Sequence, residues 1–434
     1  MIPCVNVKCF GAVGDGITDD STAIRDAISA AQATYGAVYF PPGVYLVSKD
    51  TGGAYCLTAP SDMAFIGAGQ GLSAIRVASG QPGAVRVFTL DGAQNVRFVD
   101  LTLDGNRGGQ EQQEHRAGIF ITHSAHVHIE RVTCREMWGD GIHIYASVSD
   151  VVLRDCHIHD CGRGGITLSG GGTNTITIER CIIHDVASSP VHSEPTIDPP
   201  GSIDTVTVRG CTLTAQPNTY AITTSGKSAA APNRGWIVDG NTLTGTINTI
   251  WVDDLRIVNN TIAGINMAAV SGRYYSRRVT VANNIIKGDN QPCILIAATG
   301  GEVPSAWIIA HNQMSVTGSA PVLRLEGCSS VRVTGNTITG TDTNYGIYIY
   351  STLPINALQI IGNAVSGVTT GIYATAYQAN VIDRLLMASN IISAVNAGIR
   401  YTGAPEQFKS LQAGSNLIAA PIPVHGLSDL TLVA

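Results

Sequence analysis

The chain has 434 residues, 48 of them glycine, and a formal net charge of −6 at neutral pH. That charge excludes the basic footprint of a nucleic-acid-binding surface, and no apolar run approaches the ~18 residues of a membrane span. Charged residues are 13% of the chain, about half the ~25% of ordinary globular domains, and the Gly, Thr, Val and Ile content suits short strands and turns.

Met1–Lys8 carries no apolar h-region, so no Sec signal is expected; a cytoplasmic, non-classically secreted or virion-associated protein fits. Asp19-Asp20-Ser21 supplies N-cap oxygens, and Ala23, Ile24, Ala27, Ile28 and Ala31 form an apolar face. One helix is predicted there, covering the open N-terminal end of a strand stack. From residue 118 a phrase of the type Gly-Ile-x-Ile recurs about every 25 residues. It stands at Gly118–Ile121, Gly141–Ile144, Gly165–Leu168 and Gly346–Ile349. Weaker copies begin near Pro190, Ala221, Thr249, Ala269, Cys293, Val322, Gly371 and Gly398. A second phrase comes after each first one and aligns Cys156, Cys181 and Cys211 with Asn241, Asn260, Asn284, Asn312, Asn336, Asn363, Asn390 and Asn416.

Alternation of period two within a repeat of ~25 residues predicts an all-β fold, a right-handed parallel β-helix of about 12–13 coils with an N-terminal capping helix. No linker divides the chain, so a single domain is expected, with a cap over 1–50 and coils over 51–434. His425–Ala434 reads as the closing strand. The aligned amides would form a ladder along the axis, with the three thiols filling the same column. The glycine before each first strand suggests a sharp bend. The ten cysteines show no Cys-x-x-Cys or Cys/His zinc spacing.

Val5–Asp20, Tyr39-Phe-Pro-Pro-Gly-Val-Tyr45 and Leu101-Thr-Leu-Asp-Gly-Asn-Arg107 closely resemble the opening of pectate-lyase-superfamily β-helix proteins. Phage tailspike depolymerases, β-helix glycoside hydrolases and mannuronan C5-epimerase modules share that opening. The resemblance implies a ligand groove along the first-strand sheet. The epimerase modules carry Tyr-Gly-Phe-Asp-Pro-His with catalytic Tyr, Asp and His. Here the aligned stretch is Asp140-Gly-Ile-His-Ile-Tyr145, so Asp140, His143 and Tyr145 stand at those positions and none matches. The polygalacturonase-type signatures are absent as well.

Long insertions at 105–117, 193–205, 215–220 and 226–235 border the same strands. The outward positions there include Phe120, His143, Tyr145, Thr167, Ser169, His192, Glu194, Trp251, Asp253, Ser271, Arg273, Arg324, Glu326, Tyr348 and Tyr350. Aromatic rings, Arg and carboxylates suit a saccharide. A polysaccharide is therefore the expected partner, bound by a monomer or homotrimer, with hydrolysis slightly preferred. Glu194 and Asp253 are candidate acids two rungs apart, on the order of 9.6 Å along the axis, with His192 tuning Glu194. Lyase or epimerase chemistry would use His143, Tyr145 or His192 as base, with Arg273 or Arg324 on the uronate carboxylate. Trp251, Arg273, Arg324, Glu326 and Tyr348 are the expected substrate-binding residues. A non-catalytic glycan-binding or virion spike protein is the third reading. No metal or cofactor is expected: Asp253-Asp254 is a weak case for calcium, and His159-Asp160 and His184-Asp185, in equivalent turns, read as turn-stabilising pairs rather than a zinc site.

Overall fold

The computed structural model describes residues 4–34, 36–194, 201–378 and 380–426. Two compact units are formed, residues 1–216 and 217–434. Each is built of parallel strands paired with the equivalent strand one turn on, as in Ile142↔Ile166↔Val191 and Ile247↔Val270↔Ile294. The fold is a right-handed parallel β-helix with about 15 turns in all. That exceeds the 12–13 expected, because Ala37–Phe40 and Gly43–Val47, placed in the cap from the sequence, already stack as rungs on Ala64–Gly67 and Ser73–Val77.

The alternation works as expected. In Ile142–Tyr145 both isoleucines are fully buried, while His143 and Tyr145 face outward. The helix α1 (Ser21–Gln32) buries Ile24, Ala27, Ile28 and Ala31 and lies against strands of residues 4–6, 37–40 and 55–58. Its capping differs from expectation. The Asp20 side chain makes no cap bond; it accepts from the Val13 and Gly14 amides at 2.7 and 3.0 Å. Asp19 instead accepts from the Ser21 amide at 2.9 Å. Arg25 ties the helix to the carbonyl of Cys56 at 2.8 Å.

The glycines that open first strands serve close packing rather than a left-handed bend. A Cβ on Gly141 would stand 2.4 Å from Ile158 Cγ2 and 2.8 Å from the Gly165 carbonyl of the next turn. Gly272 likewise makes room for Trp307, whose ring a Cβ would meet at 2.3 Å. Trp307 is fully buried and its indole donates to the Ser276 carbonyl at 2.9 Å.

In the second unit the asparagine column forms the expected ladder. The side-chain amide of each residue from Asn241 to Asn390 donates to the Oδ1 of the next, ending on Asn416, at 2.8–3.0 Å. The backbone amide of each donates to the same oxygen. The second amide proton goes to a neighbouring carbonyl, as from Asn284 to Ile257 at 2.9 Å. In the first unit Cys156, Cys181 and Cys211 are buried, and the Cys181 amide donates to Cys211 Sγ at 3.4 Å. Ile422–His425 pairs with Ala397–Arg400; the rest of the predicted closing strand, 427–434, lies outside the described residues.

Asn312→Ala removes the acceptor of two Asn284 donors inside the core. Stranded buried donors cost ~1–3 kcal/mol each, so a loss of about 2–6 kcal/mol is expected in urea unfolding. The exposed Thr261→Ala should stay within about 0.5 kcal/mol; equal effects would show that the ladder adds nothing.

Candidate functional site

In the first unit the first-strand sheet consists of Arg86–Asp91, Ala117–Thr122, Ile142–Tyr145, Ile166–Ser169 and Val191–Glu194. Its register aligns Thr89, Phe120, His143, Thr167 and His192 in one outward column. Asp91, Thr122, Tyr145, Ser169 and Glu194 form the next. His143, Tyr145, His192 and Glu194 thus share one face, as the sequence suggested.

Two residues that were not among the candidate site residues organise this face. Asp140, 1% exposed, lies beneath it. One of its oxygens accepts from the Gly164 amide at 2.9 Å and the Thr167 hydroxyl at 2.7 Å. The other meets Arg163 at 3.0 Å and His143 Nδ1 at 3.5 Å. Arg163 also pairs with Glu194, so one guanidinium joins a buried and a half-exposed carboxylate. Asp140 and Arg163 each stand directly before a glycine that leads into a first strand, and Arg116 stands near such a glycine too. A charge at that turn was the signal available in the sequence.

Burial sets the protonation states. It raises the Asp140 pKa, with the Arg163 charge as the main opposing influence. Burial, then the Arg163 and Arg86 charges, lowers that of His143 to about 3. His192 is lowered too, chiefly by burial, with Glu194 working the other way. Burial works against the Arg163 charge, but Asp140 and Glu194 outweigh it and its pKa is raised. Both imidazoles are therefore neutral near pH 7. His143 Nε2 lies 2.7 Å from Ser169 Oγ, whereas His192 Nδ1 is buried with no hydrogen-bond partner among the described residues. Phe120 packs edge-on to His143, ring centres 5.3 Å apart. Arg86 lies over Phe120, 3.5 Å from its ring centre. Burial lowers its pKa, and among the described residues it has no carboxylate partner. Of the bordering insertion at 193–205, residues 195–200 lie outside the described residues.

In the second unit the expected register holds except at one turn. The columns run Thr223, Asn248, Ser271, Leu295, Arg324, Tyr348, Tyr373 and Ser225, Ile250, Arg273, Ala297, Glu326, Tyr350, Thr375. Asn248 and Ile250 occupy the places assigned to Trp251 and Asp253. The shift arises because Thr246 and Thr249 are fully buried, with the Thr249 hydroxyl satisfied by the Ser271 carbonyl at 3.2 Å. Polar residues inside the coil broke the apolar period on which the sequence register relied.

Asp253 therefore lies on the next strand, Val252–Val258, fully buried and paired with Arg277 at 2.8 Å and Arg278 at 2.7 Å. It is therefore removed from the candidate acids of the first-strand sheet. Trp251 sits in a turn at φ +47°, its indole donating to Glu302 at 2.5 Å and its ring 4.9 Å from that of Tyr274. Arg273, with Tyr220, Asn248 and Tyr274, lines a cleft of about 340 Å³. Arg324 pairs with Glu326 and lies over Tyr348. Tyr348 stacks on Tyr345 and Tyr373 with ring centres 5.1 and 5.4 Å apart.

A family model described as rhamnogalacturonase A/epimerase, pectate lyase-like, matches residues 4–92, and one for the right-handed β-helix region matches 86–194. The resemblance seen in the sequence is thus supported. Mannuronan C5-epimerase AlgE6 of Azotobacter vinelandii is 39% identical over 175 residues, 37% of this chain and 20% of that protein. Alginate lyase 7 of the same organism is 34% identical over 174 residues, again 37% of this chain and 20% of that protein. The pre-neck appendage protein of Bacillus phage B103 is 29% identical over 211 residues, 42% of this chain and 23% of that protein. The matched segment is thus about a fifth of the length of these relatives. The solved A-module of AlgE6 superposes with a TM-score of 0.55 at 23% identity, covering 92% of this chain and 99% of the module, a likeness of fold.

The depressed pKa of His143 has a stability consequence. The unfolded imidazole takes up a proton near pH 6.5, while the folded one resists until about 3. Its contribution is therefore intact above pH 6.5 and is lost as pH falls from there toward 3, by up to ~1.4 kcal/mol per pH unit. His143→Gln should flatten this limb of a plot of urea midpoint against pH. An unchanged slope would show that His143 titrates normally.

Proposed function

We propose that the chain acts on a uronate-containing polysaccharide along the first-strand face of residues 86–194, by proton transfer at the sugar carbon next to the carboxylate. This is the lyase or epimerase class, and it replaces the hydrolysis preferred from the sequence. The observation that carries the proposal is a part-buried Arg86, without a carboxylate partner among the described residues, lying over Phe120 beside the neutral imidazole of His143. Abstraction of such a proton needs a cation on the carboxylate and a neutral base near the carbon. Arg86 meets the first need, and neutral His143, one rung beyond the Phe120 strand whose ring Arg86 covers, meets the second. Tyr145 stands in the neighbouring column as a proton donor to the opposite face of the sugar. Arg163 holds Glu194 and Asp140 in place. Hydrolysis loses its support because Asp253 is buried away from this sheet, and Asp91, the other carboxylate in Glu194's column, stands four rungs from it, on the order of 19 Å and well beyond the ~6.5–9.5 Å of an inverting pair. The epimerase and alginate lyase relatives agree with the proposed class.

A non-catalytic glycan-binding role is the second reading. It is favoured by the mutual pairing of Asp140, Arg163 and Glu194, which leaves few acidic groups free, and it accords with the phage relative.

The test uses alginate, pectate and other acidic polysaccharides, following reducing ends, unsaturated-uronate absorbance and C5 configuration by NMR. Absorbance with new reducing ends, or C5 inversion without cleavage, is expected. His143→Ala should lower either rate by ~10²–10⁴-fold, and Arg86→Ala should lower it as well. Reducing ends without absorbance would restore hydrolysis. Binding with no chemical change would establish the second reading.

A further inference from the structure

Away from the first-strand face, three imidazoles gather on the third-strand sheet of the first unit. His157 and His159 lie on the strand His157–Cys161, and His184 lies on Ile182–Val186, one turn on. The two strands pair in parallel with His159 opposite His184. The rings of His159 and His184 stack at 5.4 Å and 11°, and the ring of His157 is 5.0 Å from that of His184. His157 Nε2 and His184 Nε2 are 2.8 Å apart.

Two neutral imidazole nitrogens at that distance cannot both carry a proton; they share one, or both lone pairs meet a third atom. The tautomer of His184 is set from behind. Asp185 lies 2.7 Å from its Nδ1, so Nδ1 is the donor and Nε2 presents its lone pair. A carboxylate behind a histidine is the usual support of a metal-ligating imidazole. Asp160 holds His159 in the same way, at 2.6 Å.

We propose that His157 and His184 form a two-imidazole site for a divalent transition-metal ion of the copper or nickel type, with Asp185 as the residue that positions His184. With metal–nitrogen bonds of ~2.0–2.1 Å, nitrogens 2.8 Å apart subtend about 90°. That is a cis pair on a square-planar or octahedral ion, and it favours Cu²⁺ or Ni²⁺ over tetrahedral Zn²⁺. On binding, the shared proton moves to Nδ1 of His157, so no net proton is released. Among the described residues no three His, Cys, Asp or Glu side chains already converge on one point, so water completes the coordination. Because the ligands belong to successive turns, the ion acts as a clip across them. The expectation of mere turn stabilisation considered each His-Asp pair alone; the contact between turns is what adds a site.

The test titrates Ni²⁺ into the metal-free full chain by calorimetry, after alkylating the exposed thiols of Cys4 and Cys9. Saturable uptake of one Ni²⁺ per chain is expected, with a rise in Tm. His157→Ala and His184→Ala should each weaken binding at least tenfold and abolish the rise in Tm. Asp185→Ala should weaken it by about 10–100-fold, whereas His126→Ala should leave it unchanged. Circular dichroism of the variants confirms that the fold is retained. No saturable uptake by the parent chain, or equal affinity in His157→Ala and His184→Ala, would overturn the site.

Discussion

A buried carboxamide with both protons and its oxygen satisfied along one axis is the constraint on which the second unit depends. Each asparagine of the ladder accepts from the amide group and the backbone of its predecessor, so its position fixes the next rung. The column tolerates no slip, because a displaced rung would leave several polar groups unpaired in the core. Insertions are absorbed in loops between the strands, and side chains on the outer face keep their alignment. In the first unit thiols fill the corresponding column. Their hydrogen bonds are weak, and register there rests more on the inward Ile, Val and Leu residues.

Outward alignment turns a repeat into a surface with chemistry. His143 and His192 share a column two turns apart, and Tyr145 and Glu194 share the next. Burial beneath that surface does the rest. Asp140 tolerates its position because a guanidinium, an amide and a hydroxyl satisfy it, and the same Arg163 governs Glu194 above. A shared frame accounts for the likeness to the epimerase relatives over about a third of the chain. In the second unit the outward columns carry an Arg–Glu pair and stacked tyrosines.

Local pattern was enough to determine the coil, its repeat, the asparagine ladder, the buried face of α1 and most outward positions, including His143, Tyr145, His192, Glu194, Arg324, Glu326 and Tyr348. All of these arise from period-two alternation and from residue types that recur at one spacing. The tertiary structure decided what depends on neighbours distant in sequence. It moved Trp251 and Asp253 off the first-strand sheet, because a buried threonine such as Thr249 can replace an aliphatic residue when a carbonyl of the next turn accepts its hydroxyl. It showed Asp140 and Arg163 to be one network, since a charge in a turn reveals nothing about the turn stacked on it. It brought His157 against His184, a contact made across turns and therefore absent from any single repeat.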